Sequence, residues 1–354
     1  MKKNTLYLLA VAMIFAACKK DPETTETPVV EDLTRTVLSS FSSNVAQDVY
    51  TDLYTQTNNL YTNVQLLSTE TTDVNLLACK QSWKDARLAW ERSEAFLFGP
   101  VATENIDPRI DTWPVNFQDL EGQLASSSTF TQSYIDGLQD ALKGFHPIEY
   151  LLFGQNGNKT AAEMTTRETE YLLGLTENLK TLISQLDAGW NSGTSNYSTE
   201  FSSAGNGSAV YGTKLSAYEE LVNGMIGICD EVANGKIAEP FLLQDASLEE
   251  SPFAFNSITD FTNNIRGVES VYLGKYTNDG VGLEDLVREH NLSLDAAIKN
   301  DLANAIAALN NITVPFGQAI TEQPVQVQAA IDAINHLAET LETELLPLVQ
   351  LHID

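Results

Sequence analysis

The sequence predicts an all-α fold built as two helical-bundle halves. Apolar residues recur every three or four positions through most of the chain, and no run alternates apolar and polar residues as a half-buried strand requires. The stretch 189–207, rich in Gly, Ser and Asn, then reads as a loop between two halves. The expected division is a targeting segment over 1–17, a tether over 18–31, a first half over 32–200 and a second over 201–354. The repeated form of three helix endings, described below, makes a remnant duplication one explanation for the halves.

Each element has its own signal. Lys2 and Lys3 precede an apolar run from Leu6 to Ala17 that is too short to span a bilayer as a permanent helix. Phe15-Ala16-Ala17-Cys18 has the small residues of a lipobox, so Cys18 is expected to carry a lipid and to anchor the chain to the outer membrane of a bacterial cell envelope, on its periplasmic or its outer face. Residues 19–32, rich in Thr, Pro and Glu, have little to bury and read as a flexible tether; Lys20-Asp21 resembles a short surface-export signal. Leu33, Val37, Phe41, Val45, Val49, Leu53, Leu60, Val64 and Leu67 form the stripe of one long helix. A second runs over about 73–98 and stops at Gly99-Pro100. A third is expected from about Thr131 to a break at His146, and a fourth over 160–188. After the central loop, helices are expected over 208–236, 256–273, 292–310 and 324–350, with Pro252, Pro315 and Pro324 marking breaks or starts.

The charge excludes one class of partner. The 48 acidic and 20 basic residues give a formal net charge of −28, which repels a phosphate backbone, so no nucleic acid is expected. The same surface favours solubility and draws cations toward any cleft. Beyond Cys18 there are Cys79 and Cys229, both in apolar helical surroundings and read as two buried free thiols.

Chemistry concentrates in Gly144-x-His146-x-x-Glu149. On a helix, positions i and i+3 share a face, with Cβ atoms roughly 5–6 Å apart, so an imidazole and a carboxylate at that spacing can grip one metal ion; helical bundles use Glu-x-x-His in this way. Pro147 is expected to end one helix near Gly144, to hold His146 outside the α region and to open a new turn as its first residue. The plainer alternative is a kinked core helix whose histidine is satisfied by hydrogen bonds. His290, His336 and His352 are read as isolated surface or helix-end residues.

Three helices share one ending. Glu94 to Gly99, Glu149 to Gly154 and Glu269 to Gly274 each place four mainly apolar residues between a glutamate and a glycine suited to a left-handed terminus. A glutamate near the C-terminus of a helix is disfavoured by the helix dipole, so a metal, an arginine or a histidine is expected to hold it. Trp83, Arg87, Trp90 and Glu94 form one stripe on the second helix. They are read either as the wall of a site or as a structural stripe, with Arg87 shielded by indoles or paired with Glu91 on the surface.

These segments resemble the imelysin family. Gly144-x-His146-x-x-Glu149 matches its GxHxxE motif, followed by Tyr150 to Gly154. Trp83-x-x-x-Arg87-x-x-Trp90-x-x-Ser93-Glu94, Asp111-x-Trp113-Pro114, and the stretch from Glu250-Ser251 through Asp260-Phe261 and Asn264-Ile265 to Tyr272-x-Gly274 match in the expected order. The resemblance implies a role in bacterial iron acquisition, with iron-uptake components or an iron-related ligand as partners. The alternative it implies is a metallopeptidase. His146, Glu149 and Glu94 are then the expected metal ligands, with iron favoured and zinc the alternative, and Arg87, Trp90, Ser93, Asp111, Trp113 and Asp260 the surrounding ligand-binding residues. The residues themselves favour binding over hydrolysis. A thermolysin-type zinc site needs His-Glu-x-x-His, and no second histidine lies four residues from His146. One imidazole with carboxylates suits iron, manganese or calcium as readily as zinc. A third reading gives Trp90 and Trp113 to an organic ligand such as a siderophore, haem or peptide.

Overall fold

The computed structural model describes residues 32–191 and 196–354, and all of their regular structure is helical. Cys18, the lipobox and the tether lie outside the described residues.

The expected first helix runs as α1 (Leu33–Ser40), a π-helical turn (Phe41–Gln47) and α2 (Asp48–Thr69). Its stripe from Val37 to Leu67 is buried, which is why the periodicity was readable. Helix α3 (Asp73–Ser93) begins at Thr72, whose side chain accepts a hydrogen bond from the Asn75 amide. It packs antiparallel-style against α2 across a short turn, and α4 (Phe145–Phe153) and α5 (Thr166–Asn191) complete this part. Beyond the undescribed 192–195 come α6 (Lys214–Asp230), α7 (Ser257–Leu273), α8 (Leu292–Asn310) and α9 (Pro324–Thr340). Residues Leu33–Asp354 form one compact unit. The seam that matters for function is α3 against α7, where the segments before and after residue 200 meet in a shared core.

The third long helix is not formed. Gln132–Asp136 is one short helix and Asp140–Leu142 a 3-10 turn, before α4 starts. The break falls at Gly137, earlier than Pro147 suggested. Pro147 sits within the first turn of α4, where its missing N–H has no helical acceptor to satisfy. His146 is therefore inside the helix, contrary to the expectation that the proline would exclude it from the α region. Short helices at Leu283–His290 and Phe316–Glu322 carried too few periodic residues to be foreseen.

Gly99, Gly154 and Gly274 all have positive φ (69°, 70° and 65°), as the shared endings predicted. The three glutamates diverge, however. Glu94 and Glu149 are buried, whereas Glu269 faces Arg266 at a half-exposed position away from them. Cys79 and Cys229 are buried free thiols, and burial pushes both up to about 12, leaving them unreactive. His290 and His352 are not isolated: their rings stack with centroids 3.7 Å apart.

Candidate functional site

Elements distant in sequence converge on one buried ionic cluster, Asp111 coming from the short helix Asp107–Asp111. From α3, Arg87 and Glu91 project one turn apart and pair directly. Arg87 is fully buried and also pairs with Asp111, with Glu250 at 3.1 Å and with Asp260 at 3.8 Å. From α7, Asp260 and Asn264 share a face for the same helical reason, and Asn264 Nδ2 donates to Glu91 Oε2 and to Glu94 Oε2, each at 2.7 Å. A π-helical turn, Glu231–Ile237, follows α6 and supplies Lys236. Its Nζ lies 2.7 Å from Glu94 Oε2 and 2.8 Å from Glu250 Oε1. The loop before α7 supplies Glu249 and Glu250.

The GxHxxE motif now has a physical reading. Gly144 has φ +81°, and a Cβ there would collide with the Ile110 backbone carbonyl. Only glycine lets the start of α4 lie against the backbone next to Asp111. That approach puts His146 Nε2 3.1 Å from Asp111 Oδ1. One turn on, Glu149 Oε1 accepts from the amides of Phe253 (2.9 Å) and Ala254 (2.7 Å), which fastens the loop carrying Glu250 over the site. Its Oε2 lies 3.6 Å from His146 Nδ1. The glutamate thus holds both the histidine and the loop.

The indoles serve as donors. Trp90 Nε1 donates to Asp111 Oδ2 at 2.6 Å and Trp83 Nε1 to the Phe145 carbonyl at 3.0 Å. The Trp113 ring lies 6.1 Å from His146 and 5.4 Å from Lys236 Nζ. Ser93 turns back to the Trp90 carbonyl and offers nothing to the cluster. A cavity of about 180 Å³, lined by apolar Trp113, Pro114, Val115 and Phe253, reaches His146, Glu249 and Glu250.

Charge is out of balance here. Glu91, Glu94, Asp111, Glu149, Glu250 and Asp260 are all buried, against the fixed cations Arg87 and Lys236. Burial favours protonated carboxyl groups, opposing charge favours ionised ones. Burial prevails at Glu91, raised to about 8 despite Arg87, at Asp260, raised to about 6, and at Glu94, held well above the usual range. At Asp111 burial loses to Arg87 and His146, and the carboxyl stays well below its usual value. Burial depresses the His146 imidazole, but the carboxylates of Asp111 and Glu149 on its two nitrogens outweigh this and raise it to about 9. The cluster therefore retains protons at neutral pH on Glu91, Glu94 and His146.

The comparisons bear on this arrangement. The sequence model of the family described as Peptidase_M75: Imelysin matches residues 46–343. The chain belongs to the imelysin family. An iron-regulated protein A from Synechococcus elongatus is 30% identical over 347 residues, covering 96% of this chain and 91% of that protein. A crystal structure of an iron-regulated protein A precursor from Parabacteroides distasonis superposes with a TM-score of 0.80 at 25% identity, covering 92% of this chain and 96% of that one. An imelysin-like protein from Psychrobacter arcticum gives a TM-score of 0.72 at 14% identity, covering 90% and 96%, and shows the fold alone.

In this imelysin chain the residues of the site fit a metal ion, though not in the set first expected. Asp111, His146 and Glu250 each offer a donor atom within 4.8 Å of the others, as do Glu91, Glu250 and Asp260, and Glu91, Glu94 and Asp111. His146, Glu149 and Glu94 are not among these groups; Glu149 Oε1 accepts from the 253–254 amides and Glu94 Oε2 from Lys236 and Asn264. Among the described residues, both ring nitrogens of His146, Glu250 Oε2, Asp260 Oδ2 and Glu149 Oε2 are buried without a hydrogen-bond partner. The three carboxylate oxygens among these are unsatisfied acceptors, which cost free energy unless something fills them. Arg87, Trp90, Asp111, Trp113, His146 and Asp260, expected around one site, lie in one neighbourhood. Lys236, Glu250 and Asn264 were not foreseen as site residues, and Glu91 was foreseen only in one alternative, as the partner of Arg87 in a surface pair. Glu250 and Asn264 stood in a segment resembling the family; Lys236 had no local signal.

Proposed function

We propose that this chain is a cell-envelope lipoprotein of bacterial iron handling that binds a divalent metal, iron favoured and zinc the alternative, through Asp111, His146 and Glu250. The observation that carries the reading is the group of unpartnered acceptors around His146 at the end of the apolar cavity. The two relatives named as iron-regulated favour iron, and mixed carboxylate and imidazole donors suit Fe(II), Mn(II) and Zn(II) alike. A bound metal supplies positive charge to an over-acidic pocket. Asp111, His146 and Glu250 hold it, Glu149 orients the imidazole, and Trp113 with Phe253 limits access of water.

Binding is favoured over the peptidase alternative because a cavity of about 180 Å³ suits an ion with a few waters or a small ligand better than an extended peptide. Calorimetric titration of Fe(II) under anaerobic conditions, then Mn(II) and Zn(II), into wild type and His146→Ala tests the reading. Wild type is expected to bind and the variant to bind at least about 100-fold more weakly, above the ~10–100-fold typical of outer-sphere changes. Equal affinity in two folded proteins, or no binding to wild type, removes the metal. The anchor has its own check: Cys18→Ser should move the protein from the membrane to the soluble fraction, and retention in the membrane would contradict lipidation.

A further inference from the structure

The apolar cavity is graded from rim to floor. Pro114, Phe117, Gln155 and Ser247 stand exposed at its rim. Trp113, Val115 and Phe253 wall it, and His146 and Glu250, each 1% exposed, line its buried end. The Phe253 ring is held edge-on by two others, with centroids 5.2 Å from Tyr150 and 5.8 Å from Phe117.

These walls are the wrong lining for a hydrated ion. Indole and phenyl faces offer its water shell no hydrogen bonds in exchange for those of bulk water. They suit the body of an organic molecule with a flat ring. The floor has the opposite character. Glu250 Oε2 is buried without a hydrogen-bond partner, and Asp111, His146 and Glu250 together offer three donor atoms. Three protein donors leave open positions on four-coordinate zinc and on octahedral ions alike. Because His146 and Glu250 also line the cavity, an ion held by them borders its apolar space.

We propose that the cavity takes a small aromatic chelator with two adjacent oxygen donors, its ring against Trp113, Val115 and Phe253 and its oxygens completing the coordination of the metal at His146 and Glu250. The proposal rests on the metal-binding reading above and deepens it: the cargo is a metal complex, not a bare ion. Two oxygens on one rigid ring are already oriented, so little conformational freedom is lost on binding. A cavity of about 180 Å³ suits one ring with its donors better than a macrocycle such as haem.

Calorimetry with catechol tests this, run anaerobically on Fe(II)-loaded and metal-free protein, with phenol as the one-oxygen comparison. Catechol should bind the loaded wild type and not the metal-free protein, and Fe(II) and catechol should elute with the protein in gel filtration. Phenol, which forfeits one of the two metal contacts, should bind the loaded protein at least about tenfold more weakly. Val115→Trp, which fills the cavity from its wall, should abolish catechol binding and leave the Fe(II) Kd unchanged. Phe117→Ala removes apolar surface at the exposed rim and should weaken catechol several-fold at unchanged Fe(II) affinity, which decides the matter if the larger change disturbs folding. No catechol binding to loaded protein, equal binding with and without Fe(II), equal affinity for phenol, removal of Fe(II) by catechol, or wild-type catechol affinity in both variants would overturn the chelator and leave the metal reading standing. Absence of Fe(II) binding to wild type would overturn both.

Discussion

Arg87→Met should destabilise the metal-free protein by about 3–5 kcal/mol, the usual consequence of stripping one partner from a buried ionic network. The size follows from what is left behind. Glu91, Asp111, Glu250 and Asp260 all lean on this one guanidinium, and Lys236 is already shared between Glu94 and Glu250. Such a loss is a large part of the about 5–15 kcal/mol that holds a typical domain together. Arg288→Met is the control, since its pairs with Glu284 and Asp285 lie on the surface, where ion pairs contribute about 0–1 kcal/mol. Urea unfolding of both variants in chelator decides it. Equal, small losses would mean that Arg87 is not the electrostatic centre described here.

Metal-free protein should also lose stability as pH rises from about 5 to about 9. Glu91 is raised from 4.5 to about 8 and His146 from 6.5 to about 9, with Asp260 raised from 3.8 to about 6 and Glu249 from 4.5 to about 7. A group that holds its proton more tightly when folded contributes fully below its unfolded pKa, and that contribution disappears as pH climbs through the folded value. All four windows run in the same direction. Asp111 is depressed and works oppositely, but its window lies below 3.8, outside this range. The melting temperature in chelator is therefore expected to fall across the interval, and Glu91→Gln, which cannot titrate, should flatten part of the slope. Added metal should restore stability most at the alkaline end, where its ligands are already deprotonated. A melting temperature that climbs from pH 5 to pH 8 in chelator would contradict the account.

Much of the fold was legible because long amphipathic helices announce themselves. The stripe from Val37 to Leu67 and the helices at 256–273, 292–310 and 324–350 come within one or two residues of the observed elements or runs of elements. The failure at 131–146 has a physical cause: Gly137 and Gly144 interrupt the pattern, and tertiary packing against Ile110, not propensity, fixes the backbone there. The site was half legible for a related reason. Arg87, Trp90 and Glu94 share a helix face, and the 144–149 motif is local, so spacing reveals both. Lys236 and Glu250 enter from loops and a π-helical turn distant in sequence, and only folding brings their charges together. A metal, an arginine or a histidine was expected to hold Glu94 at its helix end; the cation beside it is a lysine, Lys236.

The most direct test of the central claim is diffraction from crystals grown without chelator and soaked anaerobically in Fe(II), with anomalous data collected at the iron edge. The account predicts one strong anomalous peak at coordination distance, about 2.0–2.3 Å, from an Asp111 or Glu250 oxygen and a His146 nitrogen. A peak confined to surface carboxylates or to the stacked His290 and His352, with nothing beside His146, would contradict it.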